Sequence, residues 1–182
     1  MKVYVHLAEG FEEIEAVTIV DVLRRAEVDA ETVSITGERV VKGAHGIPVT
    51  ADLLFEEADY DNCEMIVLPG GMPGTTNLGA HKGLEEQLKK FEEKNRWLAA
   101  ICAAPMIFGN LGLLKGKKAV IYPGMEEHLK GAQVGEKPVE IDGKIITSKA
   151  PGTAMIFALA LVEALKGASE VDGLKRSMVV DL

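Results

Sequence analysis

The sequence predicts an α/β protein with a mostly parallel sheet and helices on both faces of that sheet. Short apolar runs rich in β-branched residues alternate with segments of helical period for nearly the whole chain. This alternation is typical of parallel sheets, because each parallel connection needs a crossover that is usually a helix. The sequence contains no repeat, low-complexity tract or linker. We therefore expect a single domain over residues 1–182.

Each element follows from a local pattern. The first strand, KVYVHL at residues 2–7, is β-branched and ends at the AEG break. Apolar residues at helical spacing then predict a helix from Phe11 to Ala26. The other predicted strands are 31–36, 65–71, 97–101 and 117–122, with a hairpin over 139–147 whose tip is Asp142-Gly143. The other predicted helices are 83–96, a helix from the turn after 101 to about Leu113, and an apolar helix over 152–167 capped by Thr153 and stopped by Gly167.

Composition and charge exclude several classes of partner. The net charge is −8 and the pI is about 5.1, which argues against nucleic acid and against anionic membrane surfaces. The longest apolar run, 154–162, is too short for a membrane span, which needs about 20 residues. The two cysteines are too few for a disulfide scaffold, and no secretory signal opens the chain. We therefore expect a cytoplasmic protein.

Cys102 lies at a break between a strand and a helix, in the stretch WLAAICAAP. Such a turn lifts a side chain out of the sheet, as in a nucleophile elbow, and small neighbours such as Ala103 and Ala104 fit the crowding. The N-terminus of the following helix would lower the pKa of the thiol. The alternative is a buried structural cysteine, since free cysteines are often buried. Both interpretations stay open at this point.

Glu15 is the acid in EGFEEIEAV that lies in the most apolar surroundings. A carboxyl turned inward there would have a raised pKa and could act as a general acid or base beside a thiolate. The other acids, Glu9, Glu12 and Glu13, are expected to be solvated in a first helical turn. An ordinary surface position for Glu15 is the simpler alternative.

The loop PGGMPG contains Gly70 and Gly71 and follows a predicted strand. It matches neither the dinucleotide-binding glycine motif nor the P-loop, so we expect no cofactor. It is either a tight turn or a loop whose bare N–H groups face an oxyanion.

The remaining histidine, cysteine and arginine residues carry weaker signals. None of the four histidines has metal-ligand spacing, so no metal site is predicted. His6 is expected to be structural, whereas His81 and His128 are expected at the surface. Cys63 is expected to be structural or exposed. Arg24 and Arg25 end the first predicted helix, where cations suit the helix dipole, and an anion-binding role is a second interpretation.

Five motifs in this order and spacing resemble the ThiJ/PfpI superfamily. They are AEGFEEIEAV, VDVLRRA, VLPGG, AAICAAP and TSKAPGTA, and the resemblance as a whole covers about residues 2–167. The sequence most resembles the branch that contains the parkinsonism-associated deglycase and its bacterial relatives. The resemblance implies a flavodoxin-like three-layer sandwich, similar to class I glutamine amidotransferases, and a homodimer.

The resemblance also implies roles for particular residues. Cys102 would be the reactive cysteine and Glu15 the carboxyl that hydrogen-bonds its sulfur. The N–H groups of Gly71 and Ala103 would hold an oxyanion, and Gly70 would lie beside Gly71 in the glycine loop that lines the site. Two further sets are implied: a pocket-lining loop with Pro151 and Gly152, and an anion site near the dimer interface with Arg25.

Four positions depart from the superfamily pattern. Tyr122 stands where many members carry a histidine near the cysteine, and Ala103 stands where the peptidase branch has histidine. His45 and Lys149 stand where relatives often carry arginine, so His45 would alter the anion site.

The resemblance implies a glyoxalase or deglycase that acts on small α-oxoaldehydes such as methylglyoxal, without glutathione, cofactor or metal. In this hypothesis Cys102 attacks the aldehyde carbon and Glu15 shuttles the proton. The alternative is an oxidative-stress sensor or redox-regulated chaperone that works through oxidation of Cys102. A cysteine peptidase or amidase is a third interpretation, which the missing histidines disfavour.

Overall fold

The computed structural model describes residues 1–181, which contain eleven strands; seven of them form the main sheet and the other four form two separate pairs. The strands are β1 (Lys2–Leu7), β2 (Asp29–Ser34), β3 (Val40–Lys42), β4 (Pro48–Thr50), β5 (Leu53–Leu54), β6 (Cys63–Leu68), β7 (Trp97–Ile101), β8 (Lys118–Ala119), β9 (Gln133–Val134), β10 (Val139–Asp142) and β11 (Ile145–Ser148). The main sheet has the order β10-β11-β7-β6-β1-β2-β5. All its pairs are parallel except β10–β11, the predicted hairpin.

Helices cover both faces of this sheet. They are α1 (Glu13–Arg25), α2 (Gly74–Ala80), α3 (Lys82–Glu93), α4 (Pro105–Asn110), α5 (Ala154–Lys166) and α6 (Ala168–Met178). Single 3₁₀ turns occupy Phe55–Glu57, Tyr60–Asn62, Glu126–His128 and Pro151–Thr153. The predicted mostly parallel, three-layer α/β architecture is confirmed.

Two apolar cores follow from the alternation of side chains along the strands. Val3 and Val5 of β1 face a core that includes residues of α1, α5 and α6. Tyr4 faces the other core, with residues of α3 and α4. Because successive strand side chains point to opposite faces, one strand supplies both layers.

Some predicted boundaries were wrong. The strand predicted over 31–36 runs from Asp29 to Ser34, and the segment predicted as a strand over 117–122 has only Lys118–Ala119 in strand form. The backbone beyond Ala119 bonds to other groups: the Val120 N–H donates to Thr147 Oγ1 and the Tyr122 N–H donates to the Cys102 carbonyl. The helix after the Cys102 turn stops at Asn110 rather than near Leu113.

The sequence analysis did not predict α2 or α6. The predicted apolar helix is α5, which runs from Ala154 to Lys166 and stops before Gly167 as predicted; the cap prediction was wrong, because the Thr153 side chain makes no cap bond to the helix. Within residues 1–181, no helix is long and apolar enough to cross a membrane.

His6 on β1 is fully buried, as its strand position predicted. Its Nε2 shares a hydrogen bond of 2.7 Å with the Tyr60 hydroxyl, and its ring stacks on that of Tyr60. Burial, helped by the nearby His81, lowers the pKa of His6 to about 3. The folded protein therefore keeps this ring neutral.

This neutral histidine makes stability depend on pH. Between pH 6.5, the ordinary pKa of histidine, and about 3, the unfolded chain binds a proton at His6 that the folded chain does not. His6 should therefore lower the free energy of unfolding by about 1.4 kcal/mol for each pH unit of acidification in this range. Urea unfolding measures the free energy of unfolding at each pH between 6 and 4. This free energy should change less steeply with pH in His6→Asn than in wild type. Identical pH dependences would contradict a neutral His6 in the folded protein.

Candidate active site

Three loops meet at the carboxyl edge of neighbouring strands β1, β6 and β7. The loop after β1 is joined to the loop after β6 by a hydrogen bond from the Glu12 N–H to the Gly70 carbonyl, 2.9 Å, and by one from the Gly74 N–H to the Gly10 carbonyl, 3.1 Å. Cys102 follows β7 directly. In parallel α/β sheets, this edge is where sites form.

Cys102 has a strained backbone. Its φ is +63°, in the left-handed region that side chains with a Cβ rarely adopt, and the cost is about 1–2 kcal/mol. Two hydrogen bonds fix it there: its N–H donates to the Ser148 carbonyl, 3.1 Å, and its carbonyl accepts from the Tyr122 N–H, 2.8 Å. Strain of this kind is concentrated at functional sites. The backbone has the form of a nucleophile elbow, with α4 starting three residues later at Pro105.

Glu15, on the first turn of α1, is completely buried. The Gly70 N–H donates to its Oε2 at 2.7 Å, while Oε1 accepts no hydrogen bond from the part of the chain that the structure describes. The carboxyl interacts directly with the side chain of Cys102. Burial raises the pKa of Glu15 to about 7, and the Gly70 N–H and Cys102 only partly offset this effect. The carboxyl can therefore both hold and release a proton near neutrality.

The Cys102 thiol does not have the lowered pKa that the sequence predicted. Burial raises it first, and the charge of Glu15 raises it further, while the N–H groups of Gly71 and Ala103 lower it. Helix α4 has only six residues, so its N-terminus does not outweigh these effects. Glu15 raises the pKa of Cys102 through its negative charge and through a hydrogen bond between the two side chains, and the effect of the charge is lost when the carboxyl is protonated. The thiolate is therefore favoured when Glu15 carries the proton.

Gly70 and Gly71 leave no room for a side chain. A Cβ on Gly70 would lie 2.5 Å from the Cβ of Cys102 and 2.8 Å from Glu15 Oε2. Gly71 has φ +89°, and a Cβ there would overlap the backbone of residues 10–12. Because neither glycine has a side chain, the loop can approach the Cys102 sulfur and the Glu15 carboxyl closely.

The loop with Pro151 and Gly152 forms a 3₁₀ turn after β11. Ser148 links it to the elbow, because its carbonyl accepts from Cys102 while its hydroxyl shares a 2.7 Å hydrogen bond with Thr153 Oγ1. Sequence reasoning did not single out Ser148. Its position at the end of a strand beside β7 was the available signal.

The two residues of the predicted anion site are not brought together within one chain. Arg25 pairs with Asp21 at 2.7 Å on the exposed face of α1. His45 contacts Glu13 at the other end of this 13-residue helix, about 18 Å away along its axis.

Three surface predictions were wrong. Glu12 and Glu13, expected to be solvated, are buried at 8% and 6% exposure because the turn at residues 43–47 covers them. His81, expected at the surface, is half-buried: its Nδ1 accepts from the Leu84 N–H at the start of α3, and its ring contacts Phe55. Cys63 is fully buried, which settles its open assignment as structural.

The fold and this site identify the class of protein. The model of the DJ-1/PfpI family matches residues 1–164, and the chain belongs to this family. The resemblance to the ThiJ/PfpI superfamily is thus confirmed.

Individual relatives agree with this assignment. The chain is 34% identical over 176 residues to protein dj-1beta of Drosophila melanogaster, covering 96% of this chain and 94% of the relative. It is 45% identical over 177 residues to protein DJ-1 homolog B of Arabidopsis thaliana, covering 94% of this chain but only 40% of that protein. The chain thus spans less than half the length of the two Arabidopsis relatives that it matches. A solved structure of oxidized Toxoplasma gondii DJ-1 superposes with a TM-score of 0.95 at 35% identity, covering 100% of this chain and 99% of that one.

The close approach at Gly70 predicts a specific sensitivity. Gly70→Ala should lower the free energy of unfolding by about 1–3 kcal/mol, because the added methyl group overlaps the side chains of Cys102 and Glu15. Gly152→Ala is the matched control, since a Cβ there has no neighbour within 4 Å among the described residues. Urea unfolding measures both. Equal stabilities of the two variants would contradict the packing described for Gly70.

Proposed function

We propose that this chain is a cysteine-dependent, glutathione-independent glyoxalase or deglycase that acts on small α-oxoaldehydes such as methylglyoxal. The observation that carries the proposal is the strained elbow, which holds Cys102 against the buried carboxyl of Glu15. A structural cysteine such as Cys63 needs neither the strained backbone nor an acid partner. A nucleophile that must release and recover a proton uses both.

The reaction can be written with these groups. The Cys102 sulfur attacks the aldehyde carbon while its proton passes to Glu15, and the carbonyl π electrons move to oxygen. The N–H groups of Gly71 and Ala103, which already act on the sulfur, would stabilise the oxyanion. Transfer of the proton from Glu15 to that oxygen gives a hemithioacetal and restores the carboxylate. Glu15 then takes the proton from the former aldehyde carbon and returns it to the neighbouring carbonyl carbon, while the hydroxyl proton passes to the neighbouring oxygen, so that a thioester forms. Water hydrolyses the thioester, which releases lactate and a proton and regenerates the Cys102 thiol. The balance is methylglyoxal plus water to lactate plus a proton, with no external oxidant.

A peptidase is less well supported. Cys102 is followed by Ala103, and Tyr122 occupies the position where a histidine would assist. Tyr122 contributes its backbone N–H to the elbow rather than a base. His6 lies in the opposite core, against Tyr60.

The glyoxalase proposal predicts that the protein converts methylglyoxal to lactate without glutathione. Cys102→Ala should abolish turnover, and Glu15→Gln should lower it by about 10²-fold or more, because the amide cannot shuttle a proton. Enzymatic detection of lactate measures both rates.

Cys63→Ser is the control, because Cys63 is buried in the other core and donates to the Met65 carbonyl. It should retain turnover. Full activity of Cys102→Ala, or no lactate from wild type with its thiol reduced, would overturn the proposal.

Oxidation sensing is the second candidate function. The solved Toxoplasma gondii DJ-1 structure is that of an oxidized protein, and Cys102 retains 8% exposure, whereas Cys63 has none. Two equivalents of peroxide would convert the thiol to a sulfinic acid with release of water. A protonated Glu15 would donate a hydrogen bond to the product. Both cysteines are free thiols, which suits the reducing cytoplasm that we propose as the protein's location.

Mild peroxide should therefore add two oxygen atoms to Cys102 and leave Cys63 unmodified. Peptide mass spectrometry reads both sites in one sample. Preferential oxidation of Cys63, or equal oxidation of the two, would remove this candidate.

We also propose that the chain forms a homodimer through α1. Ile14 and Val17 on this helix are more than half exposed, as is Ile47 nearby. A groove lined by Ala16, Val17, Val20 and Val49, among others, lies beside them. Exposed apolar patches of this kind mark association surfaces.

Val17→Glu should convert the dimer to a monomer, because it buries a charge in the contact. Sedimentation equilibrium measures the mass, with Val134→Glu, an exposed valine on β9, as the control. A monomeric wild type, or a dimer that survives Val17→Glu, would contradict this interface.

A further inference from the structure

A small cavity at the amino edge of the main sheet is lined by three cationic side chains. Its volume is about 60 Å³, and it lies where the parallel neighbours β7 and β11 begin. Arg96 directly precedes β7, Lys144 lies at the tip of the β10–β11 hairpin, and Lys117 directly precedes β8. Cys102 follows the other end of β7. The cavity is therefore separated from the candidate active site by the length of a strand.

Positive charge prevails in this cavity. Arg96, Lys117 and Lys144 are half-buried, yet none of them forms an ion pair with any residue in 1–181. Glu92 is the one carboxylate among the described residues that lines the cavity, so three positive charges face one negative charge. The adjacent Lys118, by contrast, forms an ion pair outside the cavity. In a chain with a net charge of −8, this local excess of positive charge would attract an anion.

Arg96 is held in a fixed orientation by the backbone. Its Nη1 donates to the carbonyls of Tyr60, 2.9 Å, and Cys63, 3.0 Å. Its guanidinium carbon lies 5.5 Å from the centre of the Phe91 ring. Its Nε and Nη2 groups donate to no acceptor in the part of the chain that the structure describes. Since a guanidinium presents its N–H groups as a planar fork that matches the oxygens of phosphate, the fold orients this fork and leaves part of it for a ligand.

Lys117 and Lys144 both lie by the tip of the β10–β11 hairpin. Lys144 Nζ is 4.1 Å from the centre of the Trp97 ring, in a cation–π contact that favours this position of the ammonium group. Lys117 Nζ is 3.4 Å from the position that a Cβ on Gly143 would take. Asn95 also lines the cavity, and its side-chain amide donates to no group within the described chain. Guanidinium, ammonium and amide donors around one concavity together suit an oxyanion.

We propose that Arg96, Lys117 and Lys144 bind a phosphate group, either as the free ion or as part of a phosphate monoester. A phosphate monoester carries about −1.5 to −2 charges at pH 7, which three cations beside one carboxylate can balance, whereas a carboxylate ligand carries one charge. A cavity of about 60 Å³ suits the phosphate group alone, so the organic part of a monoester would extend into solvent. This binding does not depend on the proposed glyoxalase reaction, because Cys102 lies at the opposite edge of the sheet.

Trp97 reports on this cavity directly, because it is the single tryptophan of the chain and Lys144 contacts its ring. Titration of the whole protein with inorganic phosphate at constant ionic strength should change the Trp97 fluorescence saturably. Lys117→Gln should weaken phosphate binding by about tenfold or more, since it removes one of the charges that contact the anion. Lys118→Gln is the matched control. It removes the same charge one residue away, outside the cavity, and should bind phosphate like wild type.

Backbone amide NMR locates the binding in wild type without any substitution. Phosphate should shift the amide signals of residues 95–96, 117 and 143–144 and leave those of residues 102–104 unchanged. Titration with glycerol phosphate distinguishes the two sources of the phosphate group. Tighter binding of glycerol phosphate than of inorganic phosphate identifies a monoester as the ligand, and the reverse order identifies the free ion.

Circular dichroism verifies the fold of both variants before titration. The absence of a saturable response of wild type to either phosphate compound, or an equal response to sodium acetate at the same ionic strength, would overturn the proposal. Unchanged phosphate affinity in folded Lys117→Gln, or amide shifts confined to residues outside the cavity, would overturn it as well.

Discussion

The hydrogen bond from the Gly70 N–H to the buried carboxyl of Glu15 joins two loops whose residues are 55 positions apart. It holds the start of α1 against the loop after β6, and Cys102 packs on both. Because Glu15 has no exposure, its charge depends on this donor and on the neighbouring sulfur. The proton state of the site, the geometry of the glycine loop and the position of the sulfur therefore change together.

The backbone conformation of Cys102 is the second constraint on the site. A left-handed Cys102 costs free energy, which the bonds to Ser148 and Tyr122 must offset. These partners come from the end of β11 and from the segment after β8, so two parts of the chain distant in sequence from Cys102 fix one backbone conformation. This explains why Tyr122 does not continue a strand. Its N–H is committed to Cys102.

Local patterns in the sequence predicted most of what surrounds Cys102. The strand ending at Ile101 and the glycine loop each carry a signal within about ten residues, whereas the residues around Glu15 left a surface position as the simpler interpretation and the structure buries it. What could not be predicted depends on contacts distant in sequence. Glu13 is buried because a turn 32 residues away covers it. The pKa of Cys102 is raised by burial and by Glu15, which outweigh a helix too short to compensate.

The central claim is that the elbow makes Cys102, and not Cys63, the reactive thiol. The most direct test is the rate of alkylation of each cysteine by iodoacetamide at pH 7.5, followed by peptide mass spectrometry. Burial raises the pKa of both thiols to about 12. The pKa values alone therefore do not predict which thiol is alkylated faster. The elbow and its acid partner predict alkylation of Cys102 at least about tenfold faster. Equal rates, or faster modification of Cys63, would contradict the account.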